Sequence, residues 1–534
     1  MNRTSLTRSL LLALATLVAA PAAAQQATVP PTPAPTPIPA TPPVQIERYT
    51  VGTARPPVVE GSKLLELTLD QAQAIALEKN LDLKVARMNP QIQDYAIQQA
   101  RATFIPSLTG SYSYRDSQSA SNNTLEGVST LTSINQGFNG GISHNLPWYG
   151  ASYNASFTNG RNATNDITRR VNPQYSSGVS LGFNMPLLNG FRIDGTRNNL
   201  RTLAIQRQIT DIQLLASIEN TKNQVRTSYW NLRSAIEQIE ITRRALEIAK
   251  KQLDDSLLRV EIGNMAPIDT VQFDTALANA EQSHLAAQIT WRTAELNFKR
   301  LLVTGVDDEL YSMTINPVDK PSLSVQSVDI QAAVTRALAE RTDIVIARRN
   351  IDSSRLSLEV TKGALMPNLN FSAGYSANGQ GGPTRVGDII LPGGFMDALR
   401  AAYGFDLPTW NLGFNFTYPI GMRSAKANYA RALIQLDQSQ AQIKSQELTI
   451  STAVINAGLN VENTYKLYQA SVKAREAAER NADANQVRFD NGMLTNFEVV
   501  QGQQQLTSAR LQELSRLIAY MNALAEFERV QKVG

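Results

Sequence analysis

The chain has 534 residues, of which 43% are hydrophobic and 18% are charged, proportions that are ordinary for a folded protein. It contains no cysteine, which excludes a disulfide framework, a cysteine-ligated metal site and the lipid anchor of bacterial lipoproteins. The formal net charge of +4 is too small to predict a nucleic-acid-binding surface.

Residues 1–24 are predicted to be a secretory signal peptide. Arg3 and Arg8 form a basic start, Leu10–Ala20 is an apolar run, and Ala22–Ala24 is a small-residue cleavage motif. A transmembrane anchor is the alternative, but the apolar run is too short to cross a bilayer. Removing the signal removes two arginines, which lowers the net charge to 4 − 2 = +2. No run of eighteen apolar residues follows, so the sequence predicts no transmembrane helix.

Residues 25–61 are predicted to be a proline-rich periplasmic leader. Its segment Thr28–Pro43 reads TVPPTPAPTPIPATPP. Each proline fixes φ and removes a backbone N–H, so this segment is expected to be an extended tether of polyproline type.

The region 62–305 is predicted to contain a helix, two strands, a very long helix and a shorter returning helix. The helices are expected at about 81–105, 192–262 and 267–302, and the strands at about 107–115 and 177–185. Between the strands, about 134–159 looks like an extra β-hairpin, because apolar residues alternate on both sides of a PWYG turn. The hairpin could extend a barrel wall, cap a pore or enlarge a loop, and the sequence does not choose among these.

The region 325–532 repeats this plan, which predicts an internal duplication. Three landmarks recur in the same order: a proline after the first helix, an LGFN strand and an R-x-x-x-G corner. They lie at Pro106 and Pro367, at Leu181–Asn184 and Leu412–Asn415, and at Arg259–Gly263 and Arg488–Gly492. The second copy is expected to have strands at about 368–376 and 409–419, a short helix near 396–402 and a long helix at about 423–490.

The two long helices contain no internal proline, and the first carries a heptad spacing of apolar residues typical of a coiled coil. At 1.5 Å per residue, about seventy residues span about 100 Å, which no compact domain needs. A solid coiled-coil rod and a hollow tube of helices fit this spacing equally well.

The strands alternate between apolar and small polar residues. In GVSLGFNMP, Val179, Leu181 and Phe183 share one face, while Ser180 and Asn184 share the other. This alternation fits an outer-membrane barrel or a soluble sheet with one buried face. The export signal and the long helices, which offer the sheet no soluble core, favour the barrel. About four strands are too few to close a barrel, and open edges are forbidden in lipid, so several chains are expected to share one barrel.

In their order and spacing, these features resemble the TolC family of outer-membrane exit ducts. The resemblance covers nearly all of the chain after the signal, including the strand-to-helix junctions PLLNGFR and YPIGMR and both R-x-x-x-G corners. It implies a membrane α+β fold: a trimeric outer-membrane β-barrel, with four strands from each chain and twelve in all, continued by a long periplasmic coiled-coil α-barrel. The implied partners are two further copies of the chain, a periplasmic adaptor (membrane fusion) protein, an inner-membrane transporter and outer-membrane lipid.

The resemblance also implies that both corners lie at the periplasmic tip of the tube, where the adaptor docks. Gly263 and Gly492 let the chain turn where a Cβ would hinder it, and Pro267 suits the first turn of a returning helix. Plain helix hairpins would use the same turn chemistry. The residues assigned to the tip and the adaptor contact are Arg259, Gly263, Asn264, Met265, Ala266, Arg488, Gly492, Met493, Leu494 and Thr495.

Acidic residues just past the corners line the closed tip in the family, which assigns a gate to Asp269 and Glu498. Some family members pair such acids with a basic residue at the position where this chain has Leu494. An apolar or differently paired closure is therefore expected here.

The sequence predicts no enzyme activity, no cofactor and no metal. His144 and His284 lack a metal-binding spacing, and neither a G-x-x-x-x-G-K-[ST] phosphate loop nor a G-x-S-x-G elbow is present. The predicted function is a passive exit duct of a tripartite pump that exports small molecules. The alternatives are an exit duct for a type I protein secretion system and, in a different class, a coiled-coil surface protein without a channel.

Overall fold

The structure, a computed structural model, describes residues 52–57, 62–121, 125, 127–321 and 328–533, all within the unit Val51–Gly534. The predicted signal peptide lies outside these residues, as does the predicted leader apart from residues 52–57. Residues 52–57 contact the first long helix, because the carboxylate Oε1 of Glu237 accepts the backbone N–H of Gly52 at 2.9 Å.

The first half of the chain forms most of one sheet and one helical hairpin. Its elements are β1 (Leu64–Leu67), α1 (Leu69–Lys79), α2 (Leu81–Ala102), β2 (Ser107–Ala120), β3 (Thr130–Asn145), β4 (Ser152–Thr164), β5 (Gln174–Pro186), α3 (Gly195–Glu261), a 3-10 turn (Pro267–Asp269), α4 (Thr270–Leu302) and α5 (Glu309–Ser312). The helix α3, with 67 residues, begins where the side chain of Asp194 accepts the backbone N–H of Arg197 at 2.8 Å, a side-chain N-cap.

The second half adds the remaining strands and a second helical hairpin. Its elements are β6 (Thr314–Pro317), α6 (Ile330–Glu340), α7 (Thr342–Gly363), β7 (Asn368–Gly381), β8 (Thr384–Val386), β9 (Ile389–Leu391), α8 (Phe395–Tyr403), β10 (Pro408–Thr417), α9 (Arg423–Asp490) and α10 (Asn496–Lys532). The expected short helix near 396–402 corresponds to α8, and the 68-residue α9 has the bounds expected from the sequence.

The helices lie side by side in two sets along α3 and α9. Next to the sheet, the contacts run from α2 to α3, then to α7 and α9; next to the corners, they run from α4 to α3, then to α10 and α9. The heptad positions Leu232 and Ile236 of α3 are fully buried, whereas Leu257, nearer the corner, is exposed. None of the helices in the described ranges is both long enough and apolar enough to cross a membrane.

Small elements form a belt around the middle of the long helices. There β1 and β6 pair in parallel, and α6 packs against α9 through buried Ala333, Ala337 and Val454. The buried Arg233 and Glu237 of α3 form an ion pair at 2.7 Å, and Arg233 also donates to the backbone carbonyl oxygen of Pro317. Through its bond to Pro317, Arg233 joins the belt strand β6 to α3.

Within the described residues, six strands and not four form the main sheet, so the expectation of four strands per chain is wrong. The strand order is β10-β7-β5-β4-β3-β2, and all neighbours are antiparallel. The two additional strands are β3 and β4, which pair over the segment where the sequence predicted a hairpin and insert between β2 and β5. The strand on each side of the PWYG turn is long enough to pair with two neighbours: β3 pairs with β2 and β4, and β4 pairs with β3 and β5.

The tight turn between β3 and β4 fixes how these two strands pair and where the hairpin packs. Tyr149 and Gly150 both have positive φ, at 57° and 64°, as the central residues of a type I′ turn do. The backbone N–H of Ala151 donates to the carbonyl oxygen of Trp148 at 3.4 Å. The ring of Tyr149 stacks on Phe191, just before α3, with 4.7 Å between ring centroids, so the turn packs on the strand-to-helix junction.

The two faces of the sheet differ in chemistry across all six strands. One cross-strand row consists of Leu108, Ile142, Ala155, Leu181, Tyr375 and Trp410. The next row, on the opposite face, consists of Thr109, Gly141, Ser156, Ser180, Ser376 and Thr409. Large side chains on the first face are exposed, for example Leu108 at 81% and Trp410 at 71%. The sheet therefore carries one small-polar face and one apolar face that the chain itself leaves largely uncovered.

Candidate functional site

The first corner is a helix C-terminus of Schellman type. Gly263 has φ +77°, and its N–H donates to the carbonyl oxygen of Val260 at 3.0 Å. The N–H of Asn264 donates back to the carbonyl oxygen of Arg259 at 2.8 Å. This pair of bonds needs a left-handed residue at the glycine position, which accounts for the glycine of the R-x-x-x-G pattern.

The second corner has the same geometry. Gly492 has φ +71°, its N–H donates to the carbonyl oxygen of Phe489 at 2.9 Å, and the N–H of Met493 donates to the carbonyl oxygen of Arg488 at 2.8 Å. Only the backbone of the arginine takes part in either turn, so the turns do not explain why arginine stands there.

The structure brings the two corners together, although they are more than two hundred residues apart in sequence. The Nη2 atom of Arg259 lies 3.3 Å from the Oδ1 atom of Asp490, and the guanidinium lies 4.6 Å from the ring centroid of Phe489. The side chain of Asn496 contacts the sulfur of Met265 at 3.8 Å. Arg259 therefore has a role at the side-chain level: it joins the end of α3 to the end of α9.

The two acidic residues assigned to the gate have different surroundings. Asp269 is exposed at the end of the 3-10 turn, and it makes no side-chain capping bond to α4. Glu498 is also exposed, but its Oε2 atom accepts the N–H of Thr495 at 3.1 Å and the hydroxyl of Thr495 at 3.0 Å. Thr495 and Glu498 thus form a capping box at the start of α10. The T-x-x-E spacing in the sequence could have revealed this second role.

Four apolar side chains around the corners are exposed, and only Met493 among them was assigned to the tip from the sequence. They are Ile262, Ile268, Met493 and Phe497, with exposed fractions of 61%, 74%, 69% and 58%. Leu494 is half-buried, and Asn264, Ala266 and Arg488 are exposed. These residues lie at or beside the helix ends, where an apolar residue in the sequence can equally be a core residue or a docking residue.

Two acidic side chains with shifted pKa values lie in the shaft of helices, Glu240 in α3 and Glu513 in α10. The bond from Arg243 lowers the pKa of Glu240 in α3 to about 2, with help from Arg244. Burial raises the pKa of Glu513 in α10, although its carboxylate accepts a bond from Arg475 of α9 at 2.6 Å. The Arg475–Glu513 pair joins α9 to α10, whereas the pairs of Glu240 lie within α3.

No group of three or more metal-binding side chains occurs within the described ranges. His144 bonds to the carbonyl oxygen of Phe104 at 2.8 Å, and His284 bonds to the hydroxyl of Thr242 at 3.2 Å. Both histidines therefore have structural partners.

Comparison with known proteins gives a consistent result. The family model described as "Outer membrane efflux protein" matches residues 74–303 and 333–530. Outer membrane protein TolC of Escherichia coli (strain K12) is 25% identical over 392 residues, which cover 69% of this chain and 71% of that protein. Outer membrane efflux protein BepC of Brucella suis is 20% identical over 454 residues, covering 85% and 83%. The crystal structure of the Campylobacter jejuni CmeC outer membrane channel has a similar fold, with a TM-score of 0.62, 16% identity, and coverage of 87% of this chain and 85% of that chain.

Proposed function

The chain belongs to the outer membrane efflux protein family, and we propose that it is the passive exit duct of a tripartite efflux pump that exports small molecules. Its location is the outer membrane, as the family and the relatives indicate.

One observation carries the proposal: outside the part that α8 covers, each of the six strands carries at least one exposed large side chain on the apolar face. An uncovered apolar face of this size is not stable in water, whereas it matches the hydrocarbon of a bilayer. The opposite face, built from Ser, Thr, Asn and Gly, suits a water-filled lumen. The sheet would thus be part of a barrel wall, with its large side chains toward lipid.

The edges of the sheet support a shared barrel. Among the described strands, β2 pairs only with β3, and β10 pairs only with β7. Open edges cannot remain unpaired in lipid, so β10 of one copy would pair with β2 of the next. Three copies would close a barrel of about eighteen strands rather than twelve, which remains an even number with alternating directions.

The long helices would continue the tube into the periplasm and end at the corners. There the exposed Ile262, Ile268, Met493 and Phe497 offer an apolar surface for a periplasmic adaptor, which would in turn bind an inner-membrane transporter. Asp269 and Glu498 would face the axis, where like charges from three copies favour bound cations. Energy would come from the transporter, since the chain has no phosphate-binding loop.

Two measurements test the proposal: the mass of the purified assembly and its ion conductance in a bilayer. Light scattering of the detergent-purified chain is expected to give a trimer, and planar bilayers are expected to show cation-sensitive conductance. A matched pair of variants tests the faces: Phe414→Arg, toward lipid, should impair assembly by about 2–4 kcal/mol, while Asn415→Arg, toward the lumen, should be mild.

A monodisperse, folded monomer without conductance would refute the duct and favour the coiled-coil surface protein. Conductance with normal drug accumulation, but loss of an exported protein when the chain is deleted, would identify a secretion duct instead of an efflux duct.

A further inference from the structure

A cleft with a volume of about 550 Å³ lies on the apolar face of the sheet, beside α8. It is far along the strands from the helices and plays no part in the duct described above. Its apolar lining includes Tyr112, Phe138, Phe157, Tyr175, Leu399 and Tyr403.

The cleft is built by the way α8 packs on the sheet. A Cβ on Gly379 would collide with the backbone of α8 at Ala398 and Ala402, so the glycine lets the helix lie directly on β7. The ring of Tyr403 then meets Phe157 with 5.6 Å between centroids. The helix stands as one wall of the cleft, and the strands β2 to β5 form its floor.

Two polar groups lie at one end of this apolar cleft. Arg161 is half-buried, stands opposite Gln136 and Tyr175 in the register, and has no ion pair with any described residue. Asn159 is only 9% exposed; its Nδ2 donates to the carbonyl oxygen of Phe138, and its buried Oδ1 has no hydrogen-bond partner among the described residues. Both residues line the cleft, which therefore has a cation and a buried amide oxygen without a partner at the same end.

The position of these groups along β4 indicates what they meet. The residues on the apolar face run Tyr153, Ala155, Phe157, Asn159 and Arg161 in the direction away from the helices. The change from apolar to polar marks the end of the hydrocarbon-facing band. In the proposed barrel, Arg161 would therefore stand at headgroup level, in the leaflet on the side opposite the helices.

We propose that the cleft binds one phosphate-bearing acyl lipid of the outer leaflet. An acyl chain would lie between the aromatic rings and α8, and the lipid phosphate would bind Arg161 through charge-assisted hydrogen bonds. A headgroup hydroxyl or amine would donate to the Oδ1 atom of Asn159 once this side chain turns toward the cleft. The inference rests on the proposed function, because that function determines which face meets lipid. A lipid fits better than a free anion because most of the cleft is apolar.

Native mass spectrometry of the full chain in detergent, titrated with dioleoyl phosphatidylglycerol, tests this. One saturable adduct per chain is expected. Arg161→Gln should weaken binding about tenfold, because a charge-assisted bond is lost. Arg115→Gln is the matched control: Arg115 pairs with Asn135 on the opposite face of the sheet, so this variant should bind like the parent. Leu399→Trp should abolish the adduct by filling the cleft while Arg161 is retained.

Equal binding by the parent, the Arg161 variant and the Leu399 variant would overturn the proposal. Displacement of the lipid by an equal concentration of inorganic phosphate would show a small-anion site and overturn it as well. Trimer mass and planar-bilayer conductance are measured on the same samples, and both should be unchanged in Arg161→Gln. A parent that conducts as a trimer but binds no lipid refutes the cleft alone, whereas one that binds lipid as a non-conducting monomer refutes the duct.

Discussion

At the level of single residues, Gly263 and Gly492 have open space around them and a constrained backbone. A Cβ at either position would meet nothing within 4 Å, yet both residues have a left-handed φ. Glycine is therefore needed at these two positions because of the left-handed backbone conformation, and not because a larger side chain would lack space. Valine resists this conformation by about 1–2 kcal/mol, whereas asparagine adopts it more readily.

This distinction predicts different outcomes for two substitutions at the same site. Gly263→Val or Gly492→Val should distort the corner and abolish adaptor-dependent efflux, because the exposed apolar residues no longer present one surface. Gly263→Asn and Gly492→Asn should retain efflux. Drug accumulation in cells and crosslinking to the adaptor are the measurements. Trimer mass should be unchanged in all four variants, because the sheet lies at the other end of helices about 100 Å long. Normal efflux by the valine variants would show that the corners are plain helix hairpins without a role in adaptor docking.

Two substitutions of Glu498 separate the effect of its charge from the effect of its capping bond to Thr495. Glutamine preserves the capping box with Thr495 but removes the charge, and alanine removes both. Cation block in planar bilayers should weaken in Glu498→Gln and in Glu498→Ala alike, as it should in Asp269→Asn. Fraying of the start of α10, measured by hydrogen exchange, should increase only in Glu498→Ala. If the glutamine variant keeps the cation sensitivity of the parent, the gating role of Glu498 is wrong.

At the level of elements, the helices were predictable because their signals are local. A proline-free run between a strand junction and an R-x-x-x-G corner located α9 to the residue and α3 to within three residues at its start. The resemblance to the TolC family is confirmed by the family model. The internal duplication, the gate and the adaptor contact remain predictions.

The strand count was not predictable, because strand pairing depends on partners that are distant in sequence. The alternation around PWYG fits a hairpin above the membrane as well as one within the wall. Only the register shows that β3 and β4 continue the apolar row from Leu108 to Leu181. The cleft beside α8 was missed for the same reason, since Arg161 and Tyr403 are brought together by the fold.

At the level of the whole molecule, the hairpin is predicted to set the width of the barrel. The strands β2 and β5 run in opposite directions and have Leu108 and Leu181 in one row, so they can pair directly if Thr130–Thr164 is replaced by a short loop. The trimer would then have twelve strands. Barrel diameter grows roughly linearly with strand number, so the parent barrel should be about 1.5 times wider than that of the variant. End views by electron microscopy measure this, and equal diameters would show that the hairpin lies outside the wall.

The six-strand sheet also determines how smoothly the two layers of the proposed tube join. Four helices abreast, at about 9 Å each, occupy about 36 Å of circumference per chain. Six strands spaced about 4.8 Å apart and tilted by about 40° occupy about 38 Å, whereas four would occupy only about 25 Å. A tube built from four-strand chains must therefore become narrower where the helices join the strands, whereas a tube built from this chain need not. The proposed conduit would keep a nearly constant bore from shaft to outer surface, and its only constriction would be at the corners.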